Sequence, residues 1–377
     1  MKNALAQLSK SLSGELHFDK LHKSIYATDA SVYRKIPLAV AFPRDNEDIK
    51  KLCLFAKENE THLIPRTAGT SLAGQCVGEG IVVDVSKHFT EIIHFDKDKR
   101  QVTVQPGVIR DVLNDFLKPH GLFFGPNTST ANRCMIGGMV GNNSSGTTSI
   151  QYGVTRDKVL RLETILSDGS TATFEEIDEN RFREKRTQNN LEGAIYNAIF
   201  ETYKDPSICK NIIDRFPKPE IHRRNTGYAL DKIVNATPFL KEGKPLNLCN
   251  ILAGSEGTLA FTTAITLQLD TLPPEHSVMV AAHFKTLEDC FKSVVPAMKH
   301  TLYTCEMMDK VILDCTKNNR EQLKNRFFIE EDPAAILMFE VCDHSIEGAR
   351  LQAQHLIQDL KTIGYAYPIL ELSLIHI

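Results

Sequence analysis

The sequence of 377 residues predicts an α+β fold built from two domains. The first part of the chain alternates strand-like and helix-like segments before turning to hairpin patterns. Pro273 and Pro274 then interrupt the chain, and a β-α…β-α-β order follows them. We therefore expect an N-terminal helical segment at 1–33, a first domain at 34–272 and a second domain at 273–377.

The first domain is predicted to begin with a βαβ unit. Residues 37–43 form an apolar run bounded by prolines, which is typical of a buried strand. Residues 46–60 place apolar side chains at helical spacing behind acidic first-turn residues. A short apolar run at 62–64 and a strand at 81–85 come next, so the loop 65–80 lies between two strands.

Hairpin signals and amphipathic helices fill the rest of this domain. Asp168 and Gly169 form a tight-turn pair between two strand-like runs, and Gly121 ends a helical pattern. The predicted elements are hairpins at 91–106 and 160–174, helices at 109–120, 189–204 and 208–216, and a strand at 261–269.

The second domain is predicted to be a ferredoxin-like split βαβ unit because of the order of its elements. These are strands at 277–284, 335–341 and 365–370, and helices at 287–299, 306–315 and 345–363.

Composition excludes several function classes. A net charge of −3 gives no electrostatic basis for binding nucleic acid. No apolar run approaches the roughly 18 residues of a transmembrane helix, and the first 20 residues lack the apolar core of a secretory signal. The nine cysteines contain no C-x-x-C pair, so we predict core thiols in a cytoplasmic protein. Peripheral attachment to the inner face of the membrane stays open.

The stretch 126–154 carries five glycines among Asn, Ser and Thr, with almost no long charged side chains. Glycine allows close approach of the backbone, and successive N–H groups can form an anion-binding concavity. A flexible linker is the alternative. The apolar residues Met135, Ile136, Met139 and Val140 favour a packed segment, because a linker has no need of them.

The loop 65–80 has a similar character, with Gly69, Thr70 and Ser71 at its tip. Its N–H and hydroxyl donors suit a pyrophosphate. The spacing matches neither G-x-G-x-x-G nor G-x-x-x-x-G-K-[ST], so the Rossmann and Walker interpretations both fail.

Together with the motif G-S-E-G-T-L at 254–259, these two loops resemble the flavin domain of the vanillyl-alcohol oxidase / p-cresol methylhydroxylase superfamily. The chain looks most similar to FAD-linked D-2-hydroxyacid dehydrogenases, over about residues 25–370. The resemblance implies a two-subdomain FAD-binding domain of the p-cresol methylhydroxylase type, followed by a partial FAD-linked oxidase C-terminal (cap) domain. Such proteins continue well past residues 371–377, so we expect this chain to be the amino-terminal part of a longer enzyme.

The resemblance also implies which residues hold FAD. Non-covalent binding is predicted, because residues 66–71 contain neither His nor Cys and Cys134 is expected to be a packed thiol. Glycines that serve tight turns alone are the alternative. The predicted cofactor residues are Arg66, Thr67, Ala68, Gly69, Thr70, Ser71, Pro126, Thr128, Ser129, Asn132, Ile136, Gly137, Gly138, Gly141, Asn142, Asn143, Ser144, Gly146, Tyr152, Gly153, Glu256, Gly257 and Thr258.

The predicted reaction is oxidation of a D-2-hydroxyacid, such as D-lactate or D-2-hydroxyglutarate, to the 2-oxoacid by hydride transfer to flavin, with an external electron acceptor. Arg223 and Arg224 are candidates for binding the substrate carboxylate, and a solvated turn is the alternative. A sugar-alcohol or aldonolactone oxidase, or a catalytically incomplete FAD-binding fragment, are the alternative functions.

No catalytic base and no metal site are assigned. The family's H-x-x-x-G-D-G-N-like segment, which carries the histidine base and metal ligands, does not occur in this sequence. Metal-binding spacings such as H-x-x-x-H and H-E-x-x-H are also missing. Zinc or iron–sulfur clusters are expected only in parts of a longer enzyme beyond these residues.

Overall fold

The computed structural model describes residues 1–218, 220–221, 223–224 and 227–372. The chain divides into two compact units. The first contains Met1–Gly146 and Gly153–Thr271, and the second contains Thr147–Tyr152 and the residues from Leu272 onward. No helix in the described part of the chain combines the length and the apolar character that a membrane crossing requires.

The first unit contains eleven α-helices and twelve strands among its described residues. The helices are α1 Lys2–Ser11, α2 Lys20–Ile25, α3 Asn46–Glu58, α4 Arg110–Leu117, α5 Ile136–Asn142, α7 Thr155–Lys158, α8 Glu179–Arg186, α9 Leu191–Tyr203, α10 Pro206–Arg215, α11 Leu230–Val234 and α12 Cys249–Leu252. The strands are β1 Glu15–His17, β2 Ala39–Phe42, β3 Leu63–Arg66, β4 Ile81–Asp84, β5 Ile92–Asp96, β6 Gln101–Val104, β7 Leu122–Phe123, β8 Val159–Ile165, β9 Thr171–Ile177, β10 Leu246–Asn247, β11 Phe261–Gln268 and β12 Asp270–Thr271.

A four-stranded sheet with the order β1-β2-β4-β3 confirms the predicted βαβ unit. Strands β2, β4 and β3 are parallel, and α3 connects β2 to β3. Asp45 starts α3 by accepting a hydrogen bond from the Asp48 backbone N–H at 2.9 Å. Ile49 and Leu52 of α3 are fully buried against this sheet. The segment 1–33 is not wholly helical, because β1 pairs with β2.

The second sheet of this unit is antiparallel and has the order β10-β9-β8-β11-β6-β5. Its hairpins β5–β6 and β8–β9 confirm the two predicted hairpins. Gly169 has a φ of 81°, as the predicted tight turn requires. The helix α8 was not predicted, because it is strongly charged and buries only Phe182 and Lys185, so it lacks an apolar periodicity.

The second unit is a split βαβ domain, as predicted. Its helices are α6 Ser149–Tyr152, α13 Leu287–Ala297, α14 Lys310–Lys317 and α15 Ile346–Ile363, and its strands are β13 His276–Phe284, β14 Thr304–Asp309, β15 Ala335–Asp343 and β16 Ile369–Leu372. The sheet order is β14-β15-β13-β16, with antiparallel neighbours throughout. The helices α13 and α15 bury their apolar faces on one side of this sheet.

Two predictions in this unit are wrong in detail. The predicted helix 306–315 is the strand β14 followed by α14, since Glu306 to Asp309 pair along β15. Asp309 begins α14 by accepting a hydrogen bond from the Ile312 backbone N–H at 3.0 Å. The strand predicted at 365–370 starts later, at Ile369, where pairing with β13 begins.

Candidate cofactor site

Three sequence motifs meet around one cleft of about 430 Å³ in the first unit. Residues after β3, residues around α5 and the turn before β11 form its wall. The predicted residues that line it are Arg66, Thr67, Gly69, Thr70, Ser71, Thr128, Ser129, Gly137, Gly138, Gly141, Asn142, Ser144, Arg223, Glu256 and Gly257.

The first wall is the loop that leaves the parallel strand β3. Arg66 ends this strand, and its Nη1 donates a hydrogen bond to the Thr28 carbonyl at 2.8 Å. Its guanidinium also lies 4.9 Å from the centre of the Tyr26 ring. At the tip, Gly69 adopts a φ of 63°, a left-handed conformation that favours glycine. Contacts within the chain therefore fix the conformation of the loop that lines the cleft.

The second wall is α5, which packs closely against its surroundings. A Cβ on Gly137 would lie 2.4 Å from Pro106 Cβ and 2.9 Å from the Pro106 carbonyl oxygen. A Cβ on Gly138 would lie 2.6 Å from Thr67 Oγ1 on the first wall. The anchors Met139 and Val140 are buried. Because the glycines allow close packing and the apolar residues hold it, a flexible linker is excluded.

The third wall is the turn at residues 254–258, which is tied to α5. The backbone N–H groups of Gly254 and Glu256 donate to the carbonyls of Val140 and Gly141, each at 2.9 Å. Glu256 has a φ of 53°, an uncommon conformation for a residue with a side chain. Its carboxylate accepts a hydrogen bond from Asn142 Nδ2 at 3.1 Å. Burial raises the pKa of the Glu256 carboxyl above its usual value.

Behind these walls lies Arg156, which sequence reasoning missed. Its Nη2 donates to the carbonyls of Ala253 at 2.6 Å and Gly227 at 2.8 Å. Its backbone N–H donates to Asn143 Oδ1 at 2.8 Å. Burial lowers the pKa of the guanidinium. No pattern in the sequence marks this arginine, because its partners are backbone carbonyls far away along the chain.

The two adjacent arginines that were candidates for binding the substrate carboxylate lie in different surroundings. Arg224 Nη2 forms an ion pair with Asp231 Oδ2 at 2.6 Å, and both side chains are largely buried. Arg224 is therefore engaged in an internal ion pair, and a role for it in binding the substrate stays an untested prediction. Arg223 lines the cleft and donates from Nε to Ser145 Oγ at 3.1 Å. The neighbouring residues 222 and 225–226 lie outside the described residues.

Several predicted cofactor residues do not line this cleft. Ile136 is in the hydrophobic core, and Asn143 turns its amide to the Arg224 carbonyl at 3.2 Å. Ala68 lines a neighbouring cavity of about 420 Å³ instead, and Tyr152 belongs to the second unit. The others outside the wall are Pro126, Asn132, Gly146, Gly153 and Thr258.

The residues present fit an anionic dinucleotide. Glycines and small hydroxyl residues make up nearly half of the wall, apolar residues about a third, and its charged groups among the described residues are Arg66, Arg223 and the single acid Glu256. Such a wall offers backbone and hydroxyl donors to phosphates with little steric hindrance. Cys134 is buried, with its sulfur 3.2 Å from Thr128 Oγ1.

Comparison with known families agrees with this fit. Residues 37–175 match the family described as "FAD binding domain", and residues 273–365 match "FAD linked oxidases, C-terminal domain". The chain therefore belongs to the FAD-linked oxidase family, and its cofactor is FAD.

Among curated proteins, the chain is 30% identical over 357 residues to D-2-hydroxyglutarate dehydrogenase of Pseudomonas putida, covering 93% of this chain and 34% of that protein. It is 34% identical over 296 residues to the enzyme of the same name from Escherichia coli, covering 78% of this chain and 28% of that protein. The chain thus spans about a third of the length of these relatives.

Solved structures resemble this chain in fold. An alkyldihydroxyacetonephosphate synthase gives a TM-score of 0.65 at 14% identity, covering 99% of this chain and 60% of that one. A Physcomitrella patens BBE-like 1 protein gives a TM-score of 0.59 at 13% identity, covering 98% and 63%. At these identities the likeness shows the fold alone.

Proposed function

We propose that this chain forms the FAD-binding part of a dehydrogenase that oxidises a D-2-hydroxyacid, D-2-hydroxyglutarate or D-lactate, to the 2-oxoacid. The observation that carries the proposal is the convergence of three motifs on one cleft with the Arg223 guanidinium in its wall. Relatives named D-2-hydroxyglutarate dehydrogenase, which are 30–34% identical over most of this chain, support the substrate class.

The residues of the cleft have distinct roles in this proposal. The loop after β3 and the helix α5 hold FAD through backbone N–H groups, and Gly137 and Gly138 let these two walls approach. FAD supplies the hydride acceptor when bound. Arg223, aligned by Ser145, binds the substrate carboxylate and orients the hydroxyl-bearing carbon.

The proton of the substrate hydroxyl needs an acceptor, and histidine is the usual one. None of the described residues in its wall is a histidine. This observation favours a second candidate function, an FAD-binding unit that requires further residues for turnover. The two electrons are proposed to pass to an external acceptor, and the protein is proposed to act in the cytoplasm or at the inner face of the membrane.

Anaerobic titration of the FAD-loaded chain tests the choice between these functions. Loss of the oxidised flavin absorption on adding D-2-hydroxyglutarate or D-lactate, with no loss on adding the L-enantiomers, supports the dehydrogenase. A flavin spectrum that responds to neither D-acid, although dithionite reduces it, supports the incomplete unit. Bleaching by a sugar alcohol or an aldonolactone alone contradicts both in favour of another oxidase.

A further inference from the structure

Glu256 is the one acidic residue among the described residues that line the cofactor cleft. Its backbone is fixed on two sides. Its N–H donates to the Gly141 carbonyl of α5, and a Cβ on the adjacent Gly257 would lie 2.9 Å from Pro65 Cγ of β3. A non-glycine residue at a φ of 53° persists only where the surroundings impose that conformation. The turn therefore holds the carboxyl group at the cleft.

A chain of polar side chains leads to this carboxyl from both flanking walls. Ser71 Oγ donates to the side chain of Gln75, which in turn hydrogen-bonds the Glu256 carboxyl. On the other side, Ser144 Oγ donates to Asn142 Oδ1, and Asn142 Nδ2 donates to the carboxyl. All five residues line the cleft. The network positions the carboxyl with neutral groups.

Among the residues that the structure describes, no cation pairs with the Glu256 carboxyl. Its hydrogen bonds with Asn142 and Gln75 lower the pKa of the carboxyl, but burial outweighs them. The other ionisable groups of the cleft are engaged elsewhere among the described residues. Arg66 donates to the Thr28 carbonyl, Arg223 donates to Ser145, and Cys76 Sγ lies 3.5 Å from Asp29 Oδ2.

FAD brings a diphosphate into the same cleft. A dinucleotide bound in this cleft would displace water that solvates an ionised carboxylate, and its diphosphate would add negative charge to the cleft. Both effects would disfavour the ionised form of Glu256. A protonated carboxyl is neutral and can also donate a hydrogen bond to a cofactor oxygen. Burial of the carboxyl in the cleft and the negative charge of the ligand therefore both favour the protonated form, against the smaller opposing effect of the hydrogen bonds with Asn142 and Gln75.

We propose that Glu256 binds FAD in its protonated form, so that FAD binding takes up one proton from solvent at this side chain. The proposal rests on the FAD site of the proposed function but not on the identity of the hydroxyacid. Glu256 is thereby a positioning residue for the cofactor and couples cofactor affinity to pH.

The direction of the pH dependence follows from linkage. A group whose pKa is higher in the complex than in the free protein favours binding below the free-protein value. Between the two pKa values, FAD affinity falls by up to about tenfold for each pH unit of increase. The decline begins above the ordinary pKa of a glutamate side chain, because burial raises the pKa of Glu256 already in the free protein.

The test is titration of FAD-depleted protein with FAD, followed by flavin fluorescence, from about pH 5.5 to about pH 8.5. We expect affinity to fall by about tenfold or more across this range in the wild type and to stay high and flat in Glu256→Gln, which mimics the neutral carboxyl. Glu60→Gln is the matched control, since Glu60 also has a positive φ, 49°, but lies exposed outside the cleft. The FAD affinity of this control variant should show the same pH dependence as that of the wild type.

Calorimetry in two buffers of different ionisation enthalpy supplies a second readout. We expect about one proton taken up per FAD by the wild type near the midpoint of the decline, and none by Glu256→Gln. Wild-type affinity that is flat or rises with pH, or a Glu256→Gln protein that folds but binds FAD weakly at every pH, overturns the role of Glu256. Folded protein that binds no FAD under any condition overturns both this inference and the cofactor site.

Discussion

Arg156 Nη2 donates a 2.6 Å hydrogen bond to the carbonyl of Ala253, 97 residues further along the chain. The same nitrogen reaches the Gly227 carbonyl, and the Arg156 backbone N–H holds the side chain of Asn143 at the end of α5. One buried residue, through its guanidinium and its backbone N–H, thus ties the segment before the third wall to the end of the second wall. We infer that the geometry of the cleft depends on a residue that does not line it.

Replacing Arg156 with Met should destabilise the first unit by about 3 kcal/mol, because buried carbonyls would lose their donors. Urea denaturation measures the change, and FAD affinity should fall with it. The control is Arg161→Met on β8, a half-exposed arginine with surface ion pairs, for which a change within about 1 kcal/mol is expected. Equal stability of the two variants would contradict the role of Arg156.

The sequence alone predicted the strand–helix order, both hairpins and the three motifs of the cleft, because each depends on local periodicity or on glycine spacing. It could not predict Arg156 or the separation of Arg223 from Arg224. Two adjacent arginines look alike in a sequence, whereas burial beside Asp231 decides that one forms an internal ion pair. Residues 306–309 were predicted to be helical for a similar reason: their local pattern is helix-like, but in the fold they pair with the distant strand β15.

Gly137→Ala should disrupt the cofactor cleft. The new Cβ would lie 2.9 Å from the Pro106 carbonyl oxygen, and a backbone atom cannot rotate away as a side chain can. We expect weaker FAD binding and a destabilisation of about 2 kcal/mol, measured by flavin fluorescence and urea denaturation.

Gly141→Ala is the matched control on the same helix, because its Cβ would meet nothing closer than 3.9 Å. This variant should be as stable as the wild type or slightly more so, since alanine favours helix. A Gly137→Ala protein with wild-type stability and FAD affinity would show that the close approach of α5 to Pro106 is not required.

Arg223→Gln should weaken binding of the substrate carboxylate and leave the cofactor in place. If the chain reduces its flavin with a D-2-hydroxyacid, the concentration that gives half the maximal reduction rate should rise by about tenfold or more. Arg223→Lys, which keeps the charge but loses the bidentate fork, should be intermediate. Loss of FAD with unchanged dependence on the hydroxyacid would instead assign Arg223 to the cofactor.

The thiols should differ sharply in reactivity. Cys315 is exposed, whereas burial raises the pKa of Cys53 to about 11 and that of Cys249 to about 12. A thiol with a raised pKa has little reactive thiolate at neutral pH, so a thiol reagent should modify Cys315 first in the native protein. Cys315→Ser should remove the fast phase, and denaturant should expose the rest. Fast native modification of Cys249 would contradict the packing around it.

The most direct test of the cofactor assignment is the visible spectrum of the purified chain after incubation with FAD and gel filtration. We expect a flavin absorption band that elutes with the protein at about one FAD per chain, and release of that FAD on denaturation because the binding is non-covalent. A folded chain that elutes without colour after this treatment would contradict the assignment of the cleft to FAD.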